Sequence, residues 1–356
     1  MSAAAIAHAD SAPAEVGPAA EAEVDTAGAH GAGAPQVATS PAWAMPLGHE
    51  PVDVSRETST PLTDLDDVSR ETVPEPVAAP LAQPQLWPKP PERKVVTIAN
   101  QKGGVGKTTT TVNLAASLAQ HGARVLVIDL DPQGNASTAF GIDHHESIPS
   151  VYDVLVQGAD IADIAIPAVD VPGLDCVPAT IDLAGAEIEL VSVVARESRL
   201  RKAVDALETA YDYVFIDCPP SLGLLTVNAL VAGREVLIPI QCEFYALEGL
   251  SQLLRNIELV RSHLNEELHV ATILLTMFDA RTRLAEQVAA EVRNHFGETV
   301  LKATIPRSVR ISEAPGYGQS VMTYDPGSRG ALAYAAAGYE FAVRAASGTT
   351  NGEGAS

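Results

Sequence analysis

The chain is short of cysteine, of aromatic residues and of positive charge, and each shortage closes off a class of function. Cys176, Cys218 and Cys242 are its three cysteines, far apart and without metal-ligand spacing. That excludes a zinc module and a disulfide framework, and fits reduced thiols in a cytoplasmic protein. Lys and Arg number 23 against 45 Asp and Glu, a formal charge of −22. An acidic chain is no general nucleic-acid binder, so any such role needs a local basic patch. No apolar run approaches the roughly 20 residues of a membrane-spanning helix. The N-terminus has no basic n-region followed by a leucine-rich stretch, so no secretory signal is expected.

The first 92 residues hold only two aromatics, Trp43 and Trp87, among Ala, Pro, Glu, Val, Ser and Thr. They carry fourteen Asp/Glu against three Lys/Arg (Arg56, Arg70 and Lys89), half of the net negative charge. Such a stretch buries too little apolar surface to offset its ordering entropy. Residues 1–92 are therefore expected to be a disordered acidic tail. Within it, Asp53-Val54-Ser55-Arg56-Glu57-Thr58 recurs unchanged as Asp67-Val68-Ser69-Arg70-Glu71-Thr72. The copies read either as a duplicated docking or phosphorylation motif with its own partner, or as local duplication in low-complexity sequence.

Past the proline-rich stretch 84–91 the pattern changes to short apolar runs alternating with helical periodicity. Strands are expected at 94–100, 124–129, 174–178, 213–217, 236–240, 270–276 and 300–305. Helices are expected at 108–121, 150–156, 247–264, 284–296 and 330–346, with one long or two broken helices over 184–208. Apolar runs of four to six residues between helices predict a mostly parallel twisted sheet covered on both faces, an α/β fold. The domain should span 93–346, with 347–356 a flexible end.

The chain is organised around Lys94-Val95-Val96-Thr97-Ile98-Ala99-Asn100-Gln101-Lys102-Gly103-Gly104-Val105-Gly106-Lys107-Thr108-Thr109. A β-branched run leads into a glycine-rich turn and then into a helical pattern. Glycines let backbone N–H groups curl around phosphate oxygens. The following helix aims its unpaired N–H groups and positive dipole end at the same anion. Lys107 is placed to reach β- and γ-phosphates and Thr108 to bind Mg²⁺, which makes residues 102–109 (Lys102, Gly103, Gly104, Val105, Gly106, Lys107, Thr108 and Thr109) the nucleotide-binding candidates. The usual G-x-x-x-x-G-K-[ST] spacing has Gln101 in place of its first glycine, and Lys102 supplies an extra cation. Two strand ends add acids. Asp131 follows one and is placed to orient a nucleophilic water or to hold the metal shell; Asp217 ends another, where the Mg²⁺ companion of a phosphate loop is expected.

The K-G-G-x-G-K-[ST] loop resembles the deviant Walker A form of P-loop NTPases in the ParA/MinD/nitrogenase-iron-protein group. Longer segments resemble chromosomal ParA (Soj-type) partition ATPases: Asp129-Leu130-Asp131-Pro132-Gln133-Gly134-Asn135, Pro178–Glu187, Asp217-Cys218-Pro219-Pro220, Gln241–Leu250, Thr276–Thr282 and Ile305–Arg310. The resemblance implies an ATPase using ATP and Mg²⁺, with an ATP-dependent homodimer in which Lys102 crosses to the partner's phosphates. It implies that Asp131 is needed for hydrolysis and that Pro306 lies in a segment flanking the adenine. It further implies binding to double-stranded DNA without sequence preference through Arg281 and Arg310, release by a ParB-type protein, and a place on the nucleoid. Arg281, Arg283, Lys302, Arg307 and Arg310 fall within thirty residues, which supplies the local charge. Tyr324-Asp325-Pro326-Gly327-Ser328-Arg329 departs from the family pattern by one missing basic residue. A MinD-like membrane-associated cell-division ATPase is the alternative, but it needs a basic amphipathic C-terminal helix, and the 333–342 stretch is weakly charged. An iron-protein reductase needs paired cysteines for a bridging cluster, which this chain lacks.

Overall fold

The computed structural model describes residues 85–243 and 246–348. The duplicated hexapeptide, Trp43 and residues 349–356 lie outside the described residues. Strands are β1 (Lys94–Ile98), β2 (Val125–Asp129), β3 (Ile166–Pro167), β4 (Leu174–Val177), β5 (Tyr213–Asp217), β6 (Glu235–Gln241), β7 (His269–Phe278) and β8 (Val300–Pro306). Helices are α1 (Lys107–Gln120), α2 (Asn135–Ala139), α3 (Ile161–Ile164), α4 (Leu183–Leu190), α5 (Arg199–Asp205), α6 (Leu224–Ala232), α7 (Ala246–His263), α8 (Arg283–Phe296), α9 (Val309–Glu313), α10 (Val321–Tyr324) and α11 (Arg329–Ala346).

The strands form one sheet in the order β3-β4-β2-β5-β1-β6-β7-β8. Every pairing is parallel except the short edge strand β3, which runs antiparallel to β4 and was not anticipated. All five residues of β2 and of β5 are buried, as expected where helices cover both faces. One apolar cluster, containing Leu183, Leu200, Leu225, Leu253 and Val288, packs α4 to α8 on one face. The other, containing Leu114, Ala136, Ile311, Val321 and Tyr334, packs α1, α2 and α9 to α11 on the opposite face.

The 184–208 stretch resolves into two helices, α4 and α5, separated by turns and a short 3₁₀ segment. Helix α6 was not foreseen. Its sequence, Leu-Leu-Thr-Val-Asn-Ala-Leu-Val-Ala, is almost wholly buried, so it shows no polar face and no amphipathic period. The 150–156 stretch begins as helix and widens into a π-helical turn over Asp153–Gln157.

Residues 85–92, assigned to the tail by composition, run along the domain. Trp87 stacks on His121 with ring centroids 3.7 Å apart and meets Tyr339 edge-on at 5.7 Å. The Trp87 backbone N–H donates to the His121 carbonyl at 3.1 Å. Gly338 makes room, since a Cβ there would sit 2.9 Å from the indole.

The sheet order sets the position of the functional residues. β1 lies between β5 and β6, and β5 between β2 and β1, so three carboxyl ends meet at one edge. In register, Ile98 is opposite Asp217, and Asp217 is opposite Asp129. Ligands of open α/β sheets bind outside such an edge, where the strand order switches direction.

Candidate phosphate site and arginine edge

The loop between β1 and α1 is tied down on both sides. Asn100 accepts from the Lys102 N–H at 3.0 Å and donates from its amide to the Pro239 carbonyl at 2.8 Å. Thr276, in β7, donates to the Val105 carbonyl at 2.8 Å. Gly104 and Gly106 have φ of 75° and 90°, a left-handed backbone that disfavours other residues. The turn is therefore fixed before any anion arrives.

A cavity of about 550 Å³ opens over this loop, lined by Gly103, Gly104, Gly106, Lys107, Thr108 and Thr109. Asp131, Asn135 and Thr138 enter it from the segment after β2, and Pro220 from the segment after β5. Met277, Pro315, Gly316 and Gln319 also line it. The structure thus gathers the glycines, Lys107, Thr108, Thr109 and Asp131 in one place. Val105 is buried beneath the loop instead of facing the cavity. Pro306 ends β8 and is not among the lining residues. Met277 holds φ of 50°, a strained conformation for a non-glycine residue; nothing in the sequence signals it.

Asp217 is fully buried behind the loop. Its Oδ1 accepts from the Thr111 hydroxyl at 2.9 Å. The Thr108 hydroxyl faces it and favours its ionised form, but Oδ2 has no hydrogen-bond partner. A buried carboxylate oxygen without a donor is costly. A cation held between Thr108 and Asp217 would remove that cost, so the donors fit Mg²⁺. No cluster of three His, Cys, Asp or Glu side chains forms a metal cage among the described residues.

Electrostatics point the same way. Burial pushes the Lys107 ammonium below its ordinary pKa, while Asp217 and Asp131 pull it back up. Burial drives Asp217 above the usual carboxylate range, and neighbouring Asp129 adds to the rise. Asp129 is raised by burial too, against hydrogen bonds from Ser137 and the Asp131 N–H. The site buries Lys107 with Asp217 and Asp129, and burial shifts all three away from their ordinary values, which makes it a functional-site candidate. Asp129, Thr111 and Ser137 were missed from the sequence because their part is to hold other residues.

Lys102 does not face the cavity. It forms an ion pair with Glu243 of its own chain, so any contact across a dimer requires that pair to open.

The arginine edge is different. Arg281 follows β7 and Arg307 follows β8, and Phe278 and Pro306 are register partners at those ends. Arg310 lies in α9, and Lys302 lies back along β8. Arg281 makes a two-pronged contact with Asp279, at 2.9 and 2.8 Å. These bonds hold the Asp279 carboxyl down at about 2, with Arg307 contributing. Arg310 contacts Glu313 at 3.0 Å and Asp325 at 3.3 Å. Both candidate DNA contacts are thus exposed and already paired with carboxylates. Of the basic residues in α11, Arg344 is engaged by Glu340 at 2.6 Å and by the Glu298 and Val300 carbonyls, so no free cationic stripe runs along its last turn. Among the described residues no helix is long and apolar enough to cross a membrane.

Comparison with known proteins adds the lineage. A family model described as an AAA domain matches residues 93–270. The sporulation initiation inhibitor protein Soj of Bacillus subtilis is 58% identical over 241 residues, 68% of this chain and 95% of that protein. The chromosome partitioning protein ParA of Caulobacter vibrioides is 53% identical, over 68% of this chain and 91% of its own. A solved structure of cobyrinic acid a,c-diamide synthase from Mycobacterium smegmatis, with bound ATP analog and magnesium, is 38% identical with a TM-score of 0.60, covering 70% of this chain and 93% of that one.

Proposed function

The chain belongs to the ParA/Soj family of chromosome-partitioning ATPases, and from that premise we propose that it hydrolyses ATP with Mg²⁺ to drive chromosome segregation. The observation that carries the chemistry is the unpartnered, fully buried Oδ2 of Asp217 beside the Lys107–Thr108 cradle. A buried ammonium beside a carboxylate with one oxygen left unbonded suits a nucleotide and its cation. The loop N–H groups and the Lys107 ammonium hold the phosphates. The Thr108 hydroxyl and Asp217, directly or through water, hold Mg²⁺, which neutralises charge on the phosphate oxygens when bound. The Asp131 carboxylate faces the same cavity and positions the attacking water.

ATP binding closes two copies into a sandwich dimer, with Lys102 leaving Glu243 to reach the partner's phosphates. The dimer binds DNA of any sequence, since phosphates carry no base code, through Arg281, Arg310 and neighbouring Arg307. A ParB-type protein stimulates hydrolysis and frees the dimer, which places the protein in the cytoplasm on the nucleoid. The synthase structure shows that the same fold, with ATP analog and magnesium bound, serves a protein named for diamide synthesis, so the fold alone does not select partition. The identity to Soj across nearly all of that protein favours it.

The test is ATP turnover of the full chain with and without duplex DNA and the cognate ParB-type protein. Turnover that rises when both are added is expected. Asp131→Ala should bind ATP, dimerise and remain on DNA without turnover. An inert wild-type chain, or normal turnover in Asp131→Ala, overturns the reading.

A further inference from the structure

Asp131 sits in a tight turn whose geometry is set from outside the cavity. Its carbonyl accepts from the Gly134 N–H at 2.9 Å, and its Oδ1 accepts from the Gln133 N–H at 3.0 Å. The orientation of the carboxylate is therefore the orientation of the 131–134 turn. Gly134 has φ of 61° and begins α2. Its carbonyl accepts from both the N–H and the hydroxyl of Thr138, at 2.9 and 3.0 Å.

One side chain from elsewhere closes this unit. His144, in the segment after α2, lays its imidazole against Gly134. A Cβ at position 134 would sit 2.5 Å from Nδ1 and 2.7 Å from Cε1. Its Nε2 is 2.8 Å from the Thr138 hydroxyl. That hydroxyl already gives its hydrogen to the Gly134 carbonyl, so Nε2–H is the donor in the second bond. The imidazole occupies the space a side chain at 134 would fill, and it anchors Thr138, which lines the cavity. His144 is half-buried, while its neighbours Asp143 and His145 are exposed and paired with each other at 2.9 Å.

We propose that His144 is a positioning residue for hydrolysis, holding the Asp131 turn through Gly134 and Thr138 so that the carboxylate meets the attacking water in register. This rests on the assignment of Asp131 above. His144 is not among the residues that line the cavity, so the role assigned to it involves no proton transfer. Its effect is geometric, and misplacing a reacting group by about 1 Å costs up to about a hundredfold in rate. Nucleotide affinity comes from the loop between β1 and α1, which His144 does not touch, so the loss falls on kcat and leaves KM in place.

The experiment uses the full chain with ATP, Mg²⁺ and duplex DNA, and compares wild type, Asp131→Ala, His144→Ala, His144→Gln and Thr138→Val. His144→Ala should lower kcat by about tenfold or more with KM and thermal midpoint unchanged. His144→Gln, whose amide N–H reaches the same hydroxyl, should recover part of the loss. Thr138→Val removes the same anchor, so the His144→Ala/Thr138→Val double variant should lose little more than either single one. An unchanged kcat in His144→Ala, a loss confined to KM, or fully additive losses in the double variant overturns the proposal. If His144→Ala does not fold, failure of His144→Gln to exceed Thr138→Val overturns it. Failure of the underlying reading is separate: it shows as turnover retained in Asp131→Ala or absent from wild type.

Discussion

The two charged regions of this domain solve opposite problems. At the phosphate site Lys107, Asp217 and Asp129 are buried, and Asp217 Oδ2 has no partner. At the arginine edge Arg281 and Arg310 are exposed and each already has a carboxylate partner. The first region is incomplete until a ligand arrives, so binding is coupled to the protonation of buried groups. The second is electrically complete, so a phosphate backbone must displace Asp279, Glu313 and Asp325. Exposed pairs of this kind contribute little to stability, with a median near 0–1 kcal/mol, so exchanging them is easy. The buried site should therefore respond to pH and single deletions, and the edge to salt and charge reversal.

The largest effect should come from the buried side. Lys107→Ala removes the ammonium from the phosphate cradle without touching the backbone N–H groups. Charge-assisted bonds are each worth roughly 1.5–3 kcal/mol, so ATP affinity should fall by about a hundredfold or more in titration calorimetry. Lys102→Ala should bind ATP normally but fail to dimerise, because Lys102 pairs with Glu243 outside the cavity. An ATP-dependent dimer of normal stability in light scattering would remove Lys102 from the interface.

The contrast also explains what could be read from sequence. The loop, its two flanking elements and the strand-end acids are local patterns, and each was found where its spacing placed it. The parallel sheet followed from fully apolar strand runs such as Val125–Ile128. What escaped were features decided in three dimensions. Helix α6 has no polar face because it is buried all round. The positive φ of Met277 has no glycine to announce it. The Glu243 partner of Lys102 lies about 140 residues away along the chain, and the acids beside Arg310 include one from a different element. Met277, Pro315, Gly316 and Gln319, which also line the cavity, carry no motif that would mark them in the sequence.

At the arginine edge, Arg281→Glu and Arg310→Glu should each weaken DNA binding and leave ATP-dependent dimerisation intact. Reversal also sets a new glutamate beside Asp279, or beside Glu313 and Asp325, so the local field turns repulsive. Binding of the wild-type dimer to unrelated duplexes should fall with salt, with a slope in log K of about 0.9 per neutralised phosphate. Each variant should reduce that slope by about one contact. Interferometry over a range of salt concentrations reads this directly, and a slope unchanged in the double variant would move the DNA surface elsewhere.

The smallest effect separates the two regions most cleanly, because it needs no ligand. Asp217 is raised in the folded state to about 7 by burial and by Asp129, and Asp129 is raised as well. In the unfolded chain both titrate near the ordinary value of about 4. Between about pH 4 and pH 7 the folded state therefore holds more protons than the unfolded one. Stability contributed by the protonated pair is present below that window and is lost as pH rises through it. The nucleotide-free domain should thus lose stability from pH 5 to pH 8, by an amount on the order of 1–3 kcal/mol given 1.36 kcal/mol per pKa unit. Asp217→Asn keeps the shape but removes the charge, so it should flatten this slope and raise the midpoint at pH 8. Added Mg²⁺ and ATP should flatten it in wild type, because a cation at Asp217 favours the ionised form. Arg281→Glu should leave the slope as it is, since that edge holds no buried acid. Chemical denaturation at several pH values decides it: an equal slope in wild type and Asp217→Asn would mean that the buried pair is not the source.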